Sequence, residues 1–528
     1  MAGGPMAAGG GVGANAPKSK LSAILMVSFA AFAGILYGYD TGTISGVTAM
    51  QDWLALFGHQ VPVSTDHPYG LAISSSRQSL VTSILSAGTF CGSLTGAPVA
   101  DWVGRQRGVF VAIVIFCFGV AMQTGCHTFA LFVVGRVIAG FGVGLVSTLI
   151  PMYLSECSPK WIRGAVVTGY QWAITIGILL ANVINNATQH RQDHSAWRIP
   201  TAVQLIWAFI LAVGMLFLPE SPRFWIKAGR EDKAAKSLAR LTNSDVSDPE
   251  VQLELEDIKA ALKEEQELGE TGYLDCFKRT PNKILFRTLT GIGLQAWQQL
   301  TGVNFIFYYG TSFFQSAGIN NPFLASVATG IVNVFMTIPG MYGVEHYGRR
   351  NLLIWGAAWM CFCEFLVGIV GVTISVDNTA GHKALIALIC LYIAGFASTW
   401  GPIAWVVIGE IFPLAIRAKA MSLSVASNWL WNFALSFATP YLVNPGPGNA
   451  NLGVKVFFLW GSTCFCCTVF AFFCIPETKG LSLEQVDLLY LNSSVLGSSK
   501  YREELLAQDV HIADVAKHTD DRASEEKV

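Results

Sequence analysis

The amino-acid sequence predicts an all-α membrane protein with twelve transmembrane helices in two pseudo-symmetric six-helix bundles, joined by a cytoplasmic helical linker. Two observations carry this prediction. Of the 528 residues, 52% are apolar and only 13% are charged, whereas soluble domains carry about a quarter charged residues. The pattern E-x-x-P-x-x-I-R also occurs twice, at 156–163 and at 410–417. Such a long-range repeat indicates two related halves.

Two weaker matches keep nearly the same spacing of about 250 residues, as expected for a duplication. An acidic residue followed three positions later by Gly-Arg occurs at 101–105 and again at 345–349. Pro-Glu-Ser at 219–221 recurs as Pro-Glu-Thr at 476–478. Convergent helix caps would explain one such pair but hardly three in the same order.

Twelve apolar runs follow this division, each near the length of about twenty residues that crosses a bilayer. In the first half they lie at 22–46, 79–100, 108–126, 131–153, 165–186 and 199–218. In the second half they lie at 288–315, 323–344, 351–375, 384–409, 419–443 and 454–475. The first run is longer than the apolar core of a signal peptide and no clear cleavage site ends it. We therefore predict a retained membrane helix there.

Charge and composition set the remaining boundaries. We predict a disordered N-terminus at 1–20, a first bundle at 21–226, a linker at 227–283, a second bundle at 284–478 and a largely disordered tail at 479–528. Within the linker, the spacing of apolar residues predicts helices at 230–241 and 251–268. Lys and Arg concentrate in the loops after the even-numbered helices, which places both termini in the cytoplasm. The sequon at Asn186 then lies outside, as a glycosylation candidate.

Small residues recur every four positions on two predicted helices. Gly88, Gly92 and Gly96 lie on the second helix, and Gly140 and Gly144 lie on the fourth. In lipid, this spacing lets two helix backbones approach closely. A nucleotide-binding interpretation of the second pair is disfavoured, because the segment is an apolar helix with no preceding strand.

Composition also bounds the class of function. A net charge of −1 gives no reason to expect a nucleic-acid partner. The twelve cysteines lie within or beside apolar segments and are interpreted as small buried hydrophobes, with no disulfide predicted. Cys464, Cys466 and Cys467 lack a neighbouring His or carboxylate, so neither a metal nor another cofactor is predicted. No nucleophile–base set or metal-ligand spacing indicates an enzyme.

Three ionisable residues stand out inside predicted membrane helices, where charge is costly and is a functional hypothesis by default. Asp40 lies in the first helix, Arg136 in the fourth and Glu364 in the ninth. If Asp40 and Arg136 face each other, protonation of Asp40 would release the pair, which makes a proton-operated latch. A static ion pair that fixes helix packing explains the same residues equally well. The sequence indicates no role for Glu364.

A second set is polar but uncharged. Amides offer donors and acceptors without charge, which suits a neutral, hydroxyl-rich ligand. The amides in question are Gln171, Gln298, Gln299, Asn304, Asn333 and Asn428. Trp400 and Trp429 could cover the C–H face of a sugar ring, while hydrogen bonds between helices are the alternative role for one or two of the amides. A break at Gly302 would let Gln299 and Asn304 point at one cavity.

Eight motifs follow one another along the chain. They are Gly-Tyr-Asp-Thr-Gly at 38–42, Gly-Arg at 104–105, the repeated E-x-x-P-x-x-I-R at 156–163 and 410–417, Pro-Glu-Ser-Pro-Arg at 219–223, Gln-Gln-Leu-Thr-Gly-Val-Asn at 298–304, Gly-Arg-Arg at 348–350 and Pro-Glu-Thr-Lys-Gly at 476–480. This ordered set resembles the sugar-porter branch of the major facilitator superfamily over residues 22–485, and in detail the chain is most similar to fungal hexose transporters. The family implies two bundles, a monosaccharide bound between them and alternating access.

The resemblance also assigns roles to individual residues. Sugar contacts are implied for Gln171, Gln298, Gln299, Asn304, Asn333, Trp400 and Asn428. Lining or gating is implied for Tyr37, Tyr308, Tyr309 and Trp429, and proton coupling for Asp40 and Arg136. A cytoplasmic charge network is implied for Asp101, Arg105, Glu156, Arg163, Glu220, Arg223, Glu345, Arg349, Glu410, Arg417 and Glu477. One departure is the absence, between 47 and 78, of the Cys that ties an outer lid in similar plant symporters.

The resulting expectation is a monomeric, multi-pass hexose carrier of the plasma membrane that takes a monosaccharide, glucose above all, together with protons. A passive facilitator of the same fold is the alternative, because several fungal facilitators also carry an acid at the position of Asp40. A sugar receptor that signals without transporting is the rival from another class. Receptors of this fold carry long cytoplasmic tails, and the tail at 479–528 is short by comparison.

Overall fold

The computed structural model describes residues 29–63, 69–157, 163–267, 272–319, 321–374, 378–413, 415–481 and 483–507. The first half contains α1 (Gly34–Val47), α2 (Gln51–Phe57), strands β1 (His59–Gln60) and β2 (Leu71–Ala72), α3 (Ser75–Val103), α4 (Arg105–Gly125), α5 (Phe129–Cys157), α6 (Arg163–Thr188) and α7 (Ser195–Phe217). The linker contains α8 (Pro222–Lys227), α9 (Glu231–Thr242), α10 (Pro249–Glu267) and a 3₁₀ helix at Tyr273–Phe277. The second half contains α11 (Ile284–Leu300), α12 (Val303–Ser316), α13 (Pro322–Tyr347), α14 (Arg349–Thr373), α15 (Thr379–Ser398), α16 (Trp400–Glu410), α17 (Arg417–Val443), a 3₁₀ helix at Gly453–Lys455 and α18 (Val456–Cys474), and α19 (Leu483–Asn492) follows it.

The described part of each of the twelve predicted apolar runs falls on one helix or on two successive helices, which confirms the predicted fold class. Two spans are made of two helices each, α11 with α12 and α15 with α16. Within the described part of the chain, eight helical spans are long and apolar enough to cross a membrane by length and composition. The spans that fall short of this standard are α1, α6, α11 with α12, and α17.

The seventh span breaks where the sequence predicts it. α11 ends at Leu300, α12 begins at Val303, and Gly302 between them has φ 80°. An L side chain rarely adopts that conformation, and a Cβ on Gly302 would lie 2.5 Å from Cγ of Trp460. Glycine is therefore required at the break both by the backbone and by the neighbouring ring.

The tenth span also breaks, which the sequence analysis did not predict. α15 ends at Ser398 and α16 begins at Trp400, with Thr399 between them at φ −132° and ψ −85°. Pro402 occupies the first turn of α16, where its missing N–H costs nothing. The Gly401-Pro402 pair was the available signal for this break.

Small residues hold α3 against α5, as predicted. A Cβ added to Gly88 would overlap the carbonyl oxygen of Val137, and one added to Gly140 would overlap that of Leu85. The two backbones thus lie in direct contact, which only glycine permits.

The predicted linker helices are confirmed as α9 and α10. They form a small separate core, in which Leu238 and Val251 pack with Leu255 against Trp225 and Ile226 of α8. Their charged faces point outward, as expected for helices in water.

The prediction that the tail is largely disordered is wrong for residues 483–507. This stretch contains α19 and a further helical segment from 498 to 507. Asp487 and the ring of Tyr490 cover Arg287, a fully buried residue of α11, with the ring centroid 4.0 Å from the guanidinium carbon. The polar composition of the tail hid a helix that forms because it satisfies this cation.

The two bundles contact each other at the ends that the charge pattern places outside. The Ser45 and Thr311 hydroxyls lie 3.3 Å apart, and Asn444 Nδ2 donates to Gln78 Oε1 at 2.8 Å. The short segment α2 packs on the first bundle, with the Phe57 ring 6.1 Å from that of Trp197 between centroids.

Candidate functional site

Asp40 of α1 and Arg136 of α5 form an ion pair at the centre of the first bundle. Arg136 Nη1 donates to both carboxylate oxygens at 2.9 Å, and Arg136 Nε donates to the carbonyl of Val81 in α3 at 3.2 Å. The two residues are 0% and 1% exposed. Arg136 Nη2 has no hydrogen-bond partner in the described structure. The contact suits both the latch and the static pair, so it does not choose between them.

Gln298 stands at the centre of a first amide group. Its Nε2 donates to the carbonyls of Trp400 and Gly401 at 2.9 and 3.0 Å. Asn428 Nδ2 donates to the Oε1 atoms of Gln298 and Gln295 at 2.8 and 2.7 Å. Gln298 donates to the first turn of α16 and accepts from Asn428 of α17, so this group joins α11, α16 and α17.

A second amide group lies around the glycine break. Asn304 Nδ2 donates to Gln299 Oε1, as the predicted break allows, and Asn432 Nδ2 donates to the same oxygen at 3.2 Å. Ser86 of the first bundle and Tyr308 both donate to Asn432 Oδ1, at 2.6 and 3.3 Å. The amides on the two sides of the break are thus linked to the opposite bundle.

The remaining two amides approach from α6 and α13. Gln171 is half-buried, and its Nε2 lies 3.6 Å from where a Cβ of Gly401 would be. Asn333 is 2% exposed, and the carbonyl of its neighbour Val334 accepts from Trp172 Nε1 at 3.2 Å. Gln171 therefore lies beside the first amide group, while Asn333 lies where α13 meets α6.

The predicted aromatic residues have separate positions. Tyr37 and Trp429 pack edge to face across the two bundles, with ring centroids 5.0 Å apart at 83°. Tyr309 donates its hydroxyl to the carbonyl of Ser436 at 2.6 Å, which docks α12 on α17. Trp400 is fully buried, and its Nε1 donates to Leu353 at 2.9 Å.

A small cavity of about 10 Å³, room for about one water molecule, adjoins the glycine break. Gln299, Asn304, Gly302, Tyr309 and Trp460 are among its lining residues. Two of the six predicted amides, Gln299 and Asn304, line this cavity.

Three polar residues were missed by the sequence analysis. Gln295 and Asn432 belong to the amide groups described above, and Gln204 of α7 faces the Asp40 carboxylate. The missed signal was helical spacing, because Gln295 precedes Gln299 by one turn and Asn432 follows Asn428 by one turn. Four of the six predicted amides bond to protein groups, so hydrogen bonds between helices account for more of them than expected.

The cytoplasmic charge residues form two matching networks, one in each bundle. In the first, Arg105 Nη2 pairs with Glu156 at 3.0 Å, Arg105 Nη1 pairs with Asp101 at 3.4 Å, and its backbone N–H donates to Glu220 at 2.9 Å. Ser221 donates its hydroxyl to Glu156. The carboxylate of Glu220 thus binds the start of α4, where the helix dipole favours an anion.

The second network repeats this geometry. Arg349 Nη2 pairs with Glu410 at 2.8 Å and with Glu345 at 3.3 Å, while its backbone N–H donates to Glu477 at 3.0 Å. Thr478 takes the place of Ser221 and donates to Glu410 at 2.7 Å. The three repeated sequence patterns therefore form one structural unit that occurs once in each bundle.

The four remaining predicted residues are Arg163, Arg223, Arg417 and Asn186. The side chain of Arg163 is outside the described residues. Arg223 lies on α8 next to Pro222, and Arg417 Nε donates to the carbonyl of Phe412 at 3.1 Å. Asn186 lies in the last turn of α6, where its Oδ1 accepts from Gln189 at 2.9 Å. Its glycosylation stays a prediction.

Several candidate residues lie on spans outside the eight apolar ones. Asp40 and Tyr37 lie on α1, Gln171 on α6, Gln298 on α11 and Asn428 on α17. α1 and α11 have 14 and 17 residues and are too short by themselves, whereas α17 has 27 residues and is too polar. Polar residues such as Asn428 lower the mean hydropathy of α17.

Several known proteins are similar to this chain in sequence and in fold. Residues 26–490 match the family described as "Sugar (and other) transporter". The major facilitator-type transporter ecdD of Aspergillus rugulosus is 49% identical over 89% of this chain and 87% of its own length. The probable glucose transporter rco-3 of Neurospora crassa is 42% identical over 90% of this chain and 80% of its own.

Two further comparisons bear on function. The high glucose sensor RGT2 of Saccharomyces cerevisiae is 40% identical over 92% of this chain, which spans 63% of the sensor's length. The proton:xylose symporter XylE of E. coli, bound to 6-bromo-6-deoxy-D-glucose, matches with a TM-score of 0.73 at 26% identity, over 89% of this chain and 99% of its own. Family and fold are those of a multi-pass membrane protein for sugar transport and not those of an enzyme. The chain belongs to the sugar-porter family of the major facilitator superfamily and resembles its fungal hexose transporters.

Proposed function

We propose that this chain is a plasma-membrane hexose carrier that works by alternating access and couples each sugar to a proton taken up by Asp40. The observation that carries the proposal is the fully buried Asp40–Arg136 pair beside an interface lined with amides. The relatives described as glucose transporters and the proton:xylose symporter support the sugar and the ion respectively. Both termini lie in the cytoplasm, the protein acts as a monomer, and glucose is the first substrate to test.

The amide groups favour a neutral sugar. Gln298, Gln299, Asn304 and Asn428 offer donors and acceptors that bond to each other in this structure, and sugar hydroxyls can replace those partners one for one. Gln171 of the first bundle and Asn333 of α13 complete the set. No charge is needed to balance such a ligand, which separates hexoses from sugar phosphates and organic acids.

The ion pair provides a place for the proton. When Asp40 takes up a proton, Arg136 keeps its charge and loses its counter-ion, and breaking a buried pair in this way costs about 3–5 kcal/mol. The bundle relieves this cost by moving α1 away from α5. Because Tyr37 lies one turn before Asp40 and packs on Trp429 across the bundle interface, a shift of α1 reaches the residue next to Asn428.

The driving force is sufficient for accumulation. A pH difference of two units supplies roughly 2.7 kcal/mol per proton, and a membrane potential of 100 mV adds about 2.3 kcal/mol per charge. Together these terms support accumulation of roughly a few thousandfold, at about 1.4 kcal/mol per factor of ten.

Intact cells that express the chain test the proposal. Adding glucose should raise the external pH and evoke an inward current, because each sugar enters with a proton. A passive facilitator takes up glucose with neither signal, so glucose uptake without current or alkalinisation would reject symport and leave the alternative. A panel of hexoses and xylose in the same cells ranks the substrates.

A second candidate function is glucose sensing, which the 40% identity to a high glucose sensor favours. A sensor binds glucose without moving it across the membrane. Purified protein in lipid vesicles separates the two functions: glucose uptake into the vesicles supports the carrier, and glucose binding without uptake supports the sensor.

A further inference from the structure

Glu364 is a buried acid that the proposed transport mechanism does not use. It lies in the middle of α14 and is 0% exposed. Neither of its carboxyl oxygens has a hydrogen-bond partner in the described structure. Phe365 beside it packs against Gly461, so α18 covers this part of α14 closely.

The groups that face Glu364 are all uncharged in their usual state. They are the thiol of Cys464 on α18 and the hydroxyl of Tyr392 on α15, with Cys361 and Cys363 on its own helix. Cys467 lies behind Cys464. Among the described residues no Lys, Arg or His faces the carboxyl. A carboxylate without a counter-ion in such a place is costly, so these surroundings favour the neutral acid.

Two of these groups also hold the break in the seventh span. The Tyr392 hydroxyl donates to the carbonyl of Thr301 at 2.7 Å, and the Cys464 thiol lies 3.8 Å from the same oxygen. Thr463 donates to the carbonyl of Leu300 at 2.6 Å. A break in a membrane helix leaves such carbonyls without helical partners, and neighbouring helices must satisfy them. Glu364 therefore faces the donors on which the break depends.

We propose that Glu364 is a second proton-binding site of this carrier and that its proton controls the glycine break between α11 and α12. In the neutral state the acid can donate its proton to the Tyr392 oxygen while Tyr392 donates to Thr301. When the proton leaves to water, the carboxylate becomes the stronger acceptor and draws the Tyr392 hydroxyl and the Cys464 thiol away from Thr301. The Thr301 carbonyl at the break then loses its donors, and Gln299 and Asn304 on the two sides of the break lose their alignment.

This inference rests on the proposed transport of glucose, and it is distinct from the role of Asp40. Asp40 has an arginine partner and lies in the first bundle, whereas Glu364 lies in the second bundle without a cation. Asp40 determines whether a proton drives the sugar. Glu364 determines how well the amides beside the break are placed, which is an effect on KM.

Glucose exchange in lipid vesicles tests the inference, with the full chain, the same pH on both sides and no membrane potential. We expect the KM of the wild type to rise about tenfold from mildly acidic to mildly alkaline pH, which corresponds to roughly one hydrogen bond. Glu364→Gln, which is neutral at every pH, should keep the low KM throughout. Tyr392→Phe lacks the hydroxyl and should show the high KM throughout.

The outcomes separate the inference from the proposed function. A KM of Glu364→Gln that follows pH like that of the wild type would overturn the inference, as would a wild-type KM that does not change with pH. Repeating the comparison in an Asp40→Asn background removes any contribution of the first acid. If the wild type exchanges no glucose, the proposed function fails, and infrared spectroscopy then decides for Glu364. A protonated-carboxyl band that titrates in the wild type and is absent from Glu364→Gln supports the second site, and its absence from both rejects it.

Discussion

Arg136 of α5 contacts α1 and α3, yet one of its nitrogens has no partner among the described residues. Nη1 donates to both oxygens of Asp40 and Nε donates to the carbonyl of Val81, while the buried Nη2 finds no acceptor in the described part of the chain. A pair built only for stability gains by satisfying every donor. The unused donor leaves Arg136 able to take another acceptor when Asp40 becomes neutral, which is what a proton-operated latch requires.

Asp40→Asn should abolish uphill transport while keeping exchange. Asparagine has nearly the same volume but cannot bind and release a proton, so the gradient of protons no longer drives the sugar. Accumulation of labelled glucose in cells should fall from up to roughly a few thousandfold to equality with the outside, and exchange between equal concentrations should continue. Asp232→Asn on the exposed surface of α9 is the matched control. Uphill uptake at the wild-type level in Asp40→Asn cells would exclude the latch.

Gln298→Ala should weaken sugar binding, and this effect should exceed that of removing an equally buried amide elsewhere. The substitution removes the two hydrogen bonds from Gln298 to the Trp400 and Gly401 carbonyls, worth about 1–3 kcal/mol together, and one of the two acceptors of Asn428. The KM for glucose should rise by roughly 5- to 150-fold at 1.4 kcal/mol per factor of ten. Gln123→Ala on α4 removes an equally buried amide far along the chain from the site. A similar KM for both variants would mean that Gln298 only stabilises the helices.

At the level of residues, the sequence predicted the chemistry of the site better than its contacts. Asp40 and Arg136 are visible because charge is rare in apolar segments. Gln295 and Asn432 were missed because a polar residue in a helix gains meaning only from the residues one turn away. Which amide bonds to which, as Asn428 does to Gln298, depends on helices that are distant in sequence and could not be predicted.

The break at Gly302 is the element on which the second amide group depends. Gly302→Ala would place a Cβ against Trp460 and force alanine into a left-handed conformation, which alone costs about 1–2 kcal/mol. We expect a lower melting temperature and a loss of glucose uptake, because Gln299 and Asn304 no longer meet.

Gly310→Ala is the matched control for this prediction. Gly310 lies on α12 with its nearest neighbours 3.6 and 3.8 Å from an added Cβ, which is ordinary van der Waals contact. Its melting temperature and uptake should equal those of the wild type. Wild-type uptake by Gly302→Ala would show that the break is not needed for the site.

Helices were predicted well wherever composition separates membrane from water. All twelve spans and both linker helices follow from apolar spacing, because burial in lipid or against a core imposes that spacing. The break at Thr399 was missed since hydropathy is continuous across it. α19 was missed for the opposite reason: a polar tail becomes helical by covering Arg287, a contact with a residue about 200 positions earlier.

The two charge networks have the same arrangement, so the two bundles of the molecule are equivalent in this respect. Arg105 with Glu156 and Glu220 in one bundle matches Arg349 with Glu410 and Glu477 in the other. Glu220 and Glu477 each follow the last membrane helix of a bundle. Each accepts a hydrogen bond from the backbone at the start of the third membrane helix of the same bundle, α4 or α14. The duplication was predicted from sequence, but how the bundles lie against each other was not, because that depends on the state of the transport cycle.

Glu220→Gln and Glu477→Gln should destabilise the protein by similar amounts. Each change weakens charge-assisted hydrogen bonds to one helix start, which are worth about 1.5–3 kcal/mol. In the double variant the two losses should add, since distant sites without shared partners act independently. Melting temperatures of purified protein measure this, with Glu256→Gln on the exposed face of α10 as the control. A double variant that loses far more or far less than the sum would show that the networks are coupled.

The helix that follows the second bundle sets a practical limit on how the carrier can be labelled. A fluorescent reporter fused directly after Thr478 would remove Asp487 and Tyr490 and leave the cation of Arg287 enclosed without its counter-charge. The fusion protein would then stay inside the cells and give weak fluorescence at the cell surface. The cause would be the position of the junction and not a defect of the transport site. Joining the reporter beyond residue 507 keeps the covering helix, so brightness at the cell surface would report the carrier itself.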